Sequence, residues 1–251
     1  HPTSPITTFS SAPIYFSLTK RRKIMHSIAI IGSGICGLTI ANALKNTKAE
    51  VTVYDKGRRP GGRAASRTIK GCVFDHGAPA IPNEVAKHFL PDTKLANEQW
   101  LLDKSSTHCP IGGVSNFGRD IAVGLKVQQS TTILGCQRNG ENFVLSLAEG
   151  RSIASIETLI LTAPPLQSAA LIQEIEPTLS EELRETCRMS PAWVVLFKIA
   201  DRFSRENYVF VPSEIITKVR HEHTKPGRKN SSQGSWFVAE CSSEWSVENL
   251  E

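Results

Sequence analysis

No run of ~18 uninterrupted apolar residues occurs in this 251-residue sequence, so no membrane-spanning helix is expected. The nearest candidate, residues 28–44, is broken by three glycines. There is no C-x-x-C pair and no zinc-ligand spacing. The six cysteines are scattered at positions 36, 72, 109, 136, 187 and 241. In a chain this size, that pattern reads as reduced, mostly buried thiols in a cytosol-like compartment. No internal repeat is present, which removes solenoids and fibres. Acids are missing from residues 1–24, where Lys20, Arg21, Arg22 and Lys23 cluster. The formal charge is +5, but without that segment 25 basic residues face 24 acidic ones, a net of +1. The body therefore makes no electrostatic case for nucleic acid.

What is there is ordinary for a soluble globular protein: 40% hydrophobic and 21% charged residues. The length suits one large domain or two interleaved ones. The first segment, HPTSPITTFSSAPIYFSLTKRRKI, is hydroxyl-rich and basic. It reads either as a transit-like presequence or as sequence upstream of a native start at Met25. The second reading is preferred, because the chain does not begin with Met, and it implies a cytoplasmic protein. The first would imply an organellar one. Either way, residues 1–24 are set apart from the fold.

Ser27–Ile31 (SIAII) is a short β-branched run, the pattern of a buried parallel strand. GSGICG follows at 32–37. Leu38, Ile40, Ala41 and Leu44 then recur at roughly helical spacing, and Glu50–Tyr54 (EVTVY) is a second strand. Strand, glycine turn, helix and strand make a βαβ unit. After Gly71 the pattern loosens. Phe74–Ile81 reads as a loop or short strand, Asn83–Leu90 as a short helix, and Ile111–Gly118 as turn chemistry before a helix over Arg119–Leu125. Residues 131–147 carry Asn139-Gly140 between β-rich runs, a hairpin signal. A strand over Thr158–Thr162, helices over Leu166–Glu174 and Ser180–Cys187, and strands over Trp193–Ile199 and Trp236–Ala239 complete the outline. Thr224–Gln233 reads as a polar loop.

GSGICG fits G-x-G-x-x-G and sits between a strand and a helix, as its mechanism requires. The first glycine permits the tight turn. The second lets a pyrophosphate approach the backbone, and the third lets helix pack on strand. The helix N-terminus offers free N–H groups to phosphates. Asp55, 18 residues after Gly37, ends the second strand. A carboxylate there suits the ribose hydroxyls of an adenine nucleotide. NAD and FAD both use this unit. In a simple dehydrogenase, further βα repeats would follow. Here KGRRPGGRAASR follows, a glycine loop whose Arg63 can reach a second part of the cofactor, since a planar guanidinium suits a phosphate or a flavin carbonyl. A solvated basic loop is the alternative.

Together, IAIIGSGICGLTIANAL and VTVYDKGRRPGGRAASR resemble the N-terminal region of FAD-dependent amine-oxidase-like flavoproteins. FDHGA at 74–78, IGGVSNFGRDIAVGL at 111–125, LILTAPPLQSAAL at 159–171, PAWVVLFKIADRF at 191–203, KPGR at 225–228 and EWSVENLE at 244–251 resemble, in order, landmarks of the renalase-like branch. The resemblance covers nearly everything from Met25 onward. It implies FAD as cofactor, held by Gly32, Ser33, Gly34, Ile35, Cys36 and Gly37, by Asp55, Lys56 and Arg58, by Gly62 and Arg63, by Gly77 and Ala78, and by Ala163. It also implies hydride transfer to flavin from a reduced nicotinamide nucleotide isomer, or less readily an amine, with molecular oxygen as acceptor. Two departures stand out. Pro79 replaces a usual glutamine, which removes a side-chain amide and a backbone N–H. The family pattern also continues beyond residue 251, through a further FAD-contacting segment, so flavin retention by this chain is an open expectation.

The implied fold class is α/β. A Rossmann-like FAD-binding domain with a parallel sheet and a β-meander spans 25–80 and 125–170. An interleaved α+β substrate domain with a mixed sheet spans 81–124 and 171–251. His221, His223, Lys225 and Arg228 are candidates for shaping the substrate side, with a solvated basic loop as the competing reading. His221 and His223 lack a third ligand, so no metal site is expected. Cys36 reads as packing as well as lying in the turn, and Trp193 and Trp236 read as core. Trp245 and Asp75 carry no assignment. Two other functions stay open: a non-catalytic or impaired FAD-binding protein, and an NAD(P)-dependent Rossmann dehydrogenase. No nucleic-acid or membrane partner is expected.

Overall fold

The computed structural model describes residues 26–89, 100–102, 105–200, 208–210, 213–228 and 234–250. The leader over 1–24 and the loop residues 229–233 lie outside the described residues.

Strand β1 (Ser27–Ile31) is buried along nearly its whole length. Its alternate side chains serve two cores. Ile28 and Ile30 pack with Ala41 and Val53. Ala29 and Ile31 pack with Ile133, Leu145 and Leu171. A strand buried on both faces must be apolar throughout, which is why SIAII does not alternate. Helix α1 (Ile35–Leu44) covers the first face through Ala41, with Ile40 and Leu44 beside it. Strand β2 (Glu50–Tyr54) pairs parallel to β1, with Ile31 opposite Tyr54.

Strands β3 (Ser66–Ile69) and β4 (Cys72–Asp75) form a hairpin closed by Lys70 and Gly71, at φ +47° and +78°. This hairpin was not expected from sequence. Its two-residue turn needs left-handed backbone at both positions, and lysine at the first is an uncommon choice. Next come β5 (Ile81–Pro82), α2 (Asn83–Ala86), β6 (Trp100–Leu102) and β7 (Ser105–His108), the three strands forming a small antiparallel sheet. Helix α3 (Ser115–Ile121) starts four residues before Arg119 and stops at Ile121. Distant side chains set that start. Ser115 N–H donates to Ser66 Oγ at 2.9 Å, and Val114 N–H to Asp75 Oδ1 at 2.9 Å. They satisfy donors that a helix N-terminus leaves unpaired.

Strand β8 (Val127–Gln128) pairs parallel to β2. The expected meander follows as β9 (Ile133–Asn139), β10 (Asn142–Leu147) and β11 (Ser152–Ile156). Asn139 pairs with Asn142, so the loop is Gly140-Glu141, with Gly140 at φ +63°. Strand β12 (Thr158–Leu161) returns beside β1, giving a parallel sheet in the order β12-β1-β2-β8. Helices α4 (Pro165–Ile172) and α5 (Pro177–Thr186) each open on a proline, whose missing N–H costs nothing there. Both start slightly earlier than expected.

A second sheet contains β13 (Val194–Ile199), β14 (Tyr208–Phe210), β15 (Ile216–His221) and β16 (Ser235–Cys241), in the order β13-β16-β15-β14. A mixed sheet was expected, but every described pair is antiparallel. Helix α6 (Ser243–Glu248) is capped by Ser242, whose Oγ accepts from Trp245 N–H at 3.2 Å. One face of this sheet docks on β4, where Trp236 and Val238 pack against Cys72 and Phe74. Trp236 is core, as expected. Trp193 is not: it is 46% exposed, because it lies on the edge strand's approach and turns its indole N–H outward to the Asn249 carbonyl. No helix among the described residues is long and apolar enough to cross a membrane.

Leu145 is fully buried between the meander and the parallel sheet. Leu145→Ala should cost roughly 2–5 kcal/mol. A lowered urea midpoint with an unchanged slope checks this.

Candidate functional site

Two glycine turns lie against each other at the carboxyl end of the parallel sheet. The first follows β1. Gly32 sits at φ +112° and donates its N–H to the Tyr54 carbonyl at 2.8 Å. A side chain on Gly32 would meet Thr162 Oγ1 at 2.7 Å, and one on Gly37 would collide with the Gly32 carbonyl. Gly34 is different. A Cβ there would meet nothing within 4 Å. The open face at Gly34 adjoins the first turn of α1, whose N–H groups favour an anion.

Asp55 ends β2. Its Oδ2 accepts from Ser33 N–H at 2.5 Å and its Oδ1 from Gly57 N–H at 2.6 Å. Each carboxylate oxygen retains a further lone pair. Asp55 thus ties the first turn to the loop beyond β2 while facing the cavity.

The second turn is Gly61-Gly62. Gly61 N–H donates to the Ser33 carbonyl at 2.8 Å, and Gly34 bridges Gly61. Gly62 sits at φ +56°, with room for only a tight contact to Gly34 Cα. Behind it, the segment after β4 holds Arg63 in place. Ala78 N–H donates to the Arg63 carbonyl at 3.0 Å, and Gly77 N–H to the Ala65 carbonyl at 3.2 Å.

These turns wall a cavity of about 730 Å³. That lies within the roughly 300–1,000 Å³ typical of small-molecule and cofactor sites. Asp55, Lys56 and residues 131–134 line one part of the cavity, where Thr131 N–H donates to the Asp55 carbonyl at 2.8 Å. Ala78, Ile81, Val85 and Phe117, which share one apolar cluster, line another. Of the residues expected from sequence, Gly32, Gly34, Ile35, Cys36, Asp55, Lys56, Gly62, Arg63, Ala78 and Ala163 line the cavity. Ser33, Gly37, Arg58 and Gly77 do not form its wall. Ser33 is buried as the link between the turns, Gly37 seals helix against strand, and Gly77 supports Arg63. Arg58 is exposed on the loop beyond Asp55. Cys36 is not packing: it is exposed and lies on the cavity wall.

The segment 221–228 is not a solvated loop: its charged side chains are buried and paired within the protein. Glu222 and Lys225 are fully buried, Arg228 nearly so, and all three meet Asp75 of β4, itself fully buried. Lys225 Nζ lies 2.8 Å from Asp75 Oδ2 and 2.9 Å from Glu222 Oε2. Arg228 donates to Asp75 Oδ2 at 2.6 Å and to Glu222 Oε2 at 2.5 Å. Neither cation is among the residues that line this cavity. The reason is electrostatic: two buried carboxylates need two buried cations. His221 stacks on Phe237 at 4.5 Å, and His223 meets Trp236 edge-on at 4.6 Å. Neither histidine lines the cavity. Asp75, Glu222 and Ser66 are the residues that sequence reading missed. The signal available was an acid inside the apolar run CVFD and an acid flanked by two histidines.

Burial alone would push the Asp75 carboxyl up, but Lys225 and Arg228 outweigh it and hold it at about 2. Arg228 is raised: Asp75 and Glu222 outweigh the burial that would lower it. Burial pushes the nearby Cys109 thiol up to about 11.

A family model described as an NAD(P)-binding Rossmann-like domain matches residues 30–92. Polyamine oxidase 4 of Oryza sativa subsp. japonica is 44% identical over 52 residues, which cover 21% of this chain and 11% of that protein. The match thus spans about a tenth of that relative's length. Among solved structures, an oxidoreductase from Methanosarcina mazei superposes with a TM-score of 0.68 at 12% identity, covering 89% of this chain and 81% of that one. Putrescine oxidase bound to putrescine superposes with a TM-score of 0.68 at 13% identity, covering 91% and 78%. These likenesses establish the fold: a Rossmann-like α/β unit joined to antiparallel sheets, in the form seen in oxidoreductases.

Because the folded Asp75 carboxyl titrates at about 2 against an ordinary 3.8, its contribution is present above pH 3.8 and is lost as pH falls toward 2. The contribution is roughly 2 kcal/mol. Urea unfolding measured across that window should show stability falling as pH falls, and Asp75→Asn should flatten that part of the curve.

Proposed function

We propose that the chain is an FAD-dependent oxidoreductase of the amine-oxidase-like type, in its renalase-like branch. The observation that carries this reading is the meeting of two glycine turns, at Gly34 and Gly61, along a cavity that Asp55 also lines. A simple dinucleotide turn would need only the first. The second turn, Arg63 and Ala78 add to that wall, as a two-part cofactor requires. We take the FAD-binding part as 25–80 with 125–170 and the substrate part as 81–124 with 171–251.

The residues fit the cofactor. Asp55 retains acceptors for ribose hydroxyls. The open backbone at Gly34 and the start of α1 suit a diphosphate. Arg63 presents a planar cation to a phosphate or a ring carbonyl. Ala78, Ile81, Val85 and Phe117 offer the ring system an apolar wall that excludes water. When bound, the flavin supplies the acceptance of a hydride, and the protein supplies orientation and electrostatics.

The substrate read here is a reduced nicotinamide nucleotide isomer in preference to an amine, with oxygen as the acceptor. Among the described lining residues, Asp55 is the sole carboxylate, and Lys56 and Arg63 are cations. Those charges suit the ribose and diphosphate of the cofactor; the preference for a nicotinamide substrate rests on the ordered renalase-like landmarks. The second reading is an NAD(P)-dependent dehydrogenase, favoured by the description of the family model over 30–92.

Purified protein should carry flavin absorbance, or acquire it on adding FAD, and should release peroxide with a reduced nicotinamide preparation but not with putrescine. Asp55→Ala should weaken FAD binding roughly tenfold or more. A colourless protein that takes up nicotinamide nucleotide and no FAD would favour the dehydrogenase. Bound FAD without turnover would leave a binding protein.

A further inference from the structure

We propose that Lys225 is a positioning residue for the cavity wall. Its ammonium donates to the Pro79 carbonyl at 2.6 Å. Pro79 stands between Ala78 and Ala80, both of which line the cavity. Proline has no N–H, so its carbonyl is the only backbone group by which this point of the wall can be tied down. Lys225 itself arrives from the far side, at the end of a short turn that leaves β15. The segment after β15 thus reaches the cavity wall at Pro79 through this side chain.

The three charged groups around Lys225 explain why it is held so firmly. Asp75 N–H also donates to Glu222 Oε2 at 3.0 Å. Asp75 Oδ1 accepts from Ser66 Oγ at 2.7 Å and from Val114 N–H at 2.9 Å. Val114 precedes α3, whose Phe117 lines the cavity. Two wall segments, 78–80 and α3, therefore hang on one cluster. Two carboxylates and two cations leave it neutral, so its effect on the cavity is geometric rather than a net field. A buried ion cluster is no stronger than well-packed apolar residues, and its better-attested use is to specify one arrangement.

This inference rests on the flavin reading only for its effect on affinity. Two charge-balanced variants separate position from mere stability. Lys225→Met with Glu222→Gln removes the tie to Pro79 and leaves Asp75 paired with Arg228. Arg228→Met with Glu222→Gln removes the other cation and leaves the tie intact. Hydrogen exchange at the Gly77 and Ala78 amides in cofactor-free protein should rise about tenfold or more in the first variant only. The FAD dissociation constant should rise by a similar factor in the first variant only. Should the first variant fail to fold, Lys225→Arg keeps the charge but replaces a point-like ammonium by a planar fork, and the same selective rise in exchange is expected. Equal changes in both double variants, or no selective rise at 77–78, would overturn the proposal. Wild-type protein that binds no FAD would instead sink the flavin reading and leave the exchange result standing.

Discussion

Ser33 is the point on which the site turns. Its backbone N–H goes to Asp55, its carbonyl receives Gly61 N–H, and its hydroxyl receives Gln129 Nε2 at 3.2 Å. It is fully buried. One residue therefore joins the turn after β1, the end of β2 and the second glycine turn. Buried backbone groups must find partners, and here the partners are the elements that wall the cavity. The glycines follow from that closeness. Gly37 and Gly118 have no room for a side chain, while Gly34 has room and presents it to the cavity.

The first βαβ unit was legible because its signals are local. SIAII, GSGICG and EVTVY lie within residues 27–54, and each element needs only its neighbours. The same holds for the meander, although its turn falls one residue later than Asn139-Gly140 suggests. The β3–β4 hairpin was missed because Lys70 takes a backbone conformation that lysine rarely adopts. The start of α3 was misplaced because Ser66 and Asp75 cap it across 49 and 39 residues.

The cluster at Asp75 was illegible for a stronger reason. Its partners stand 147 to 153 residues away. In one dimension, KPGR looks like solvated loop chemistry. In three, its two cations offset two buried carboxylates. An ion pair of this kind has no periodicity and no spacing rule, so only the folded chain reveals it. It also changes what Pro79 means. The missing amide looked like a lost contact, yet its carbonyl is what Lys225 holds.

A ligand-facing layer, built from glycine turns and Asp55, is thus distinct from the neutral ionic frame around Asp75. In the proposed function the cavity takes a dinucleotide, with its adenosine half at Asp55 and its flavin against Ala78, Ile81, Val85 and Phe117. Calorimetric titration of cofactor-free protein with FAD, FMN and NAD tests this directly. The account predicts one FAD per chain, with FMN weaker by roughly tenfold or more because it lacks the adenosine half that Asp55 and Gly34 receive. FMN binding as tight as FAD, or NAD binding with no FAD, would contradict it.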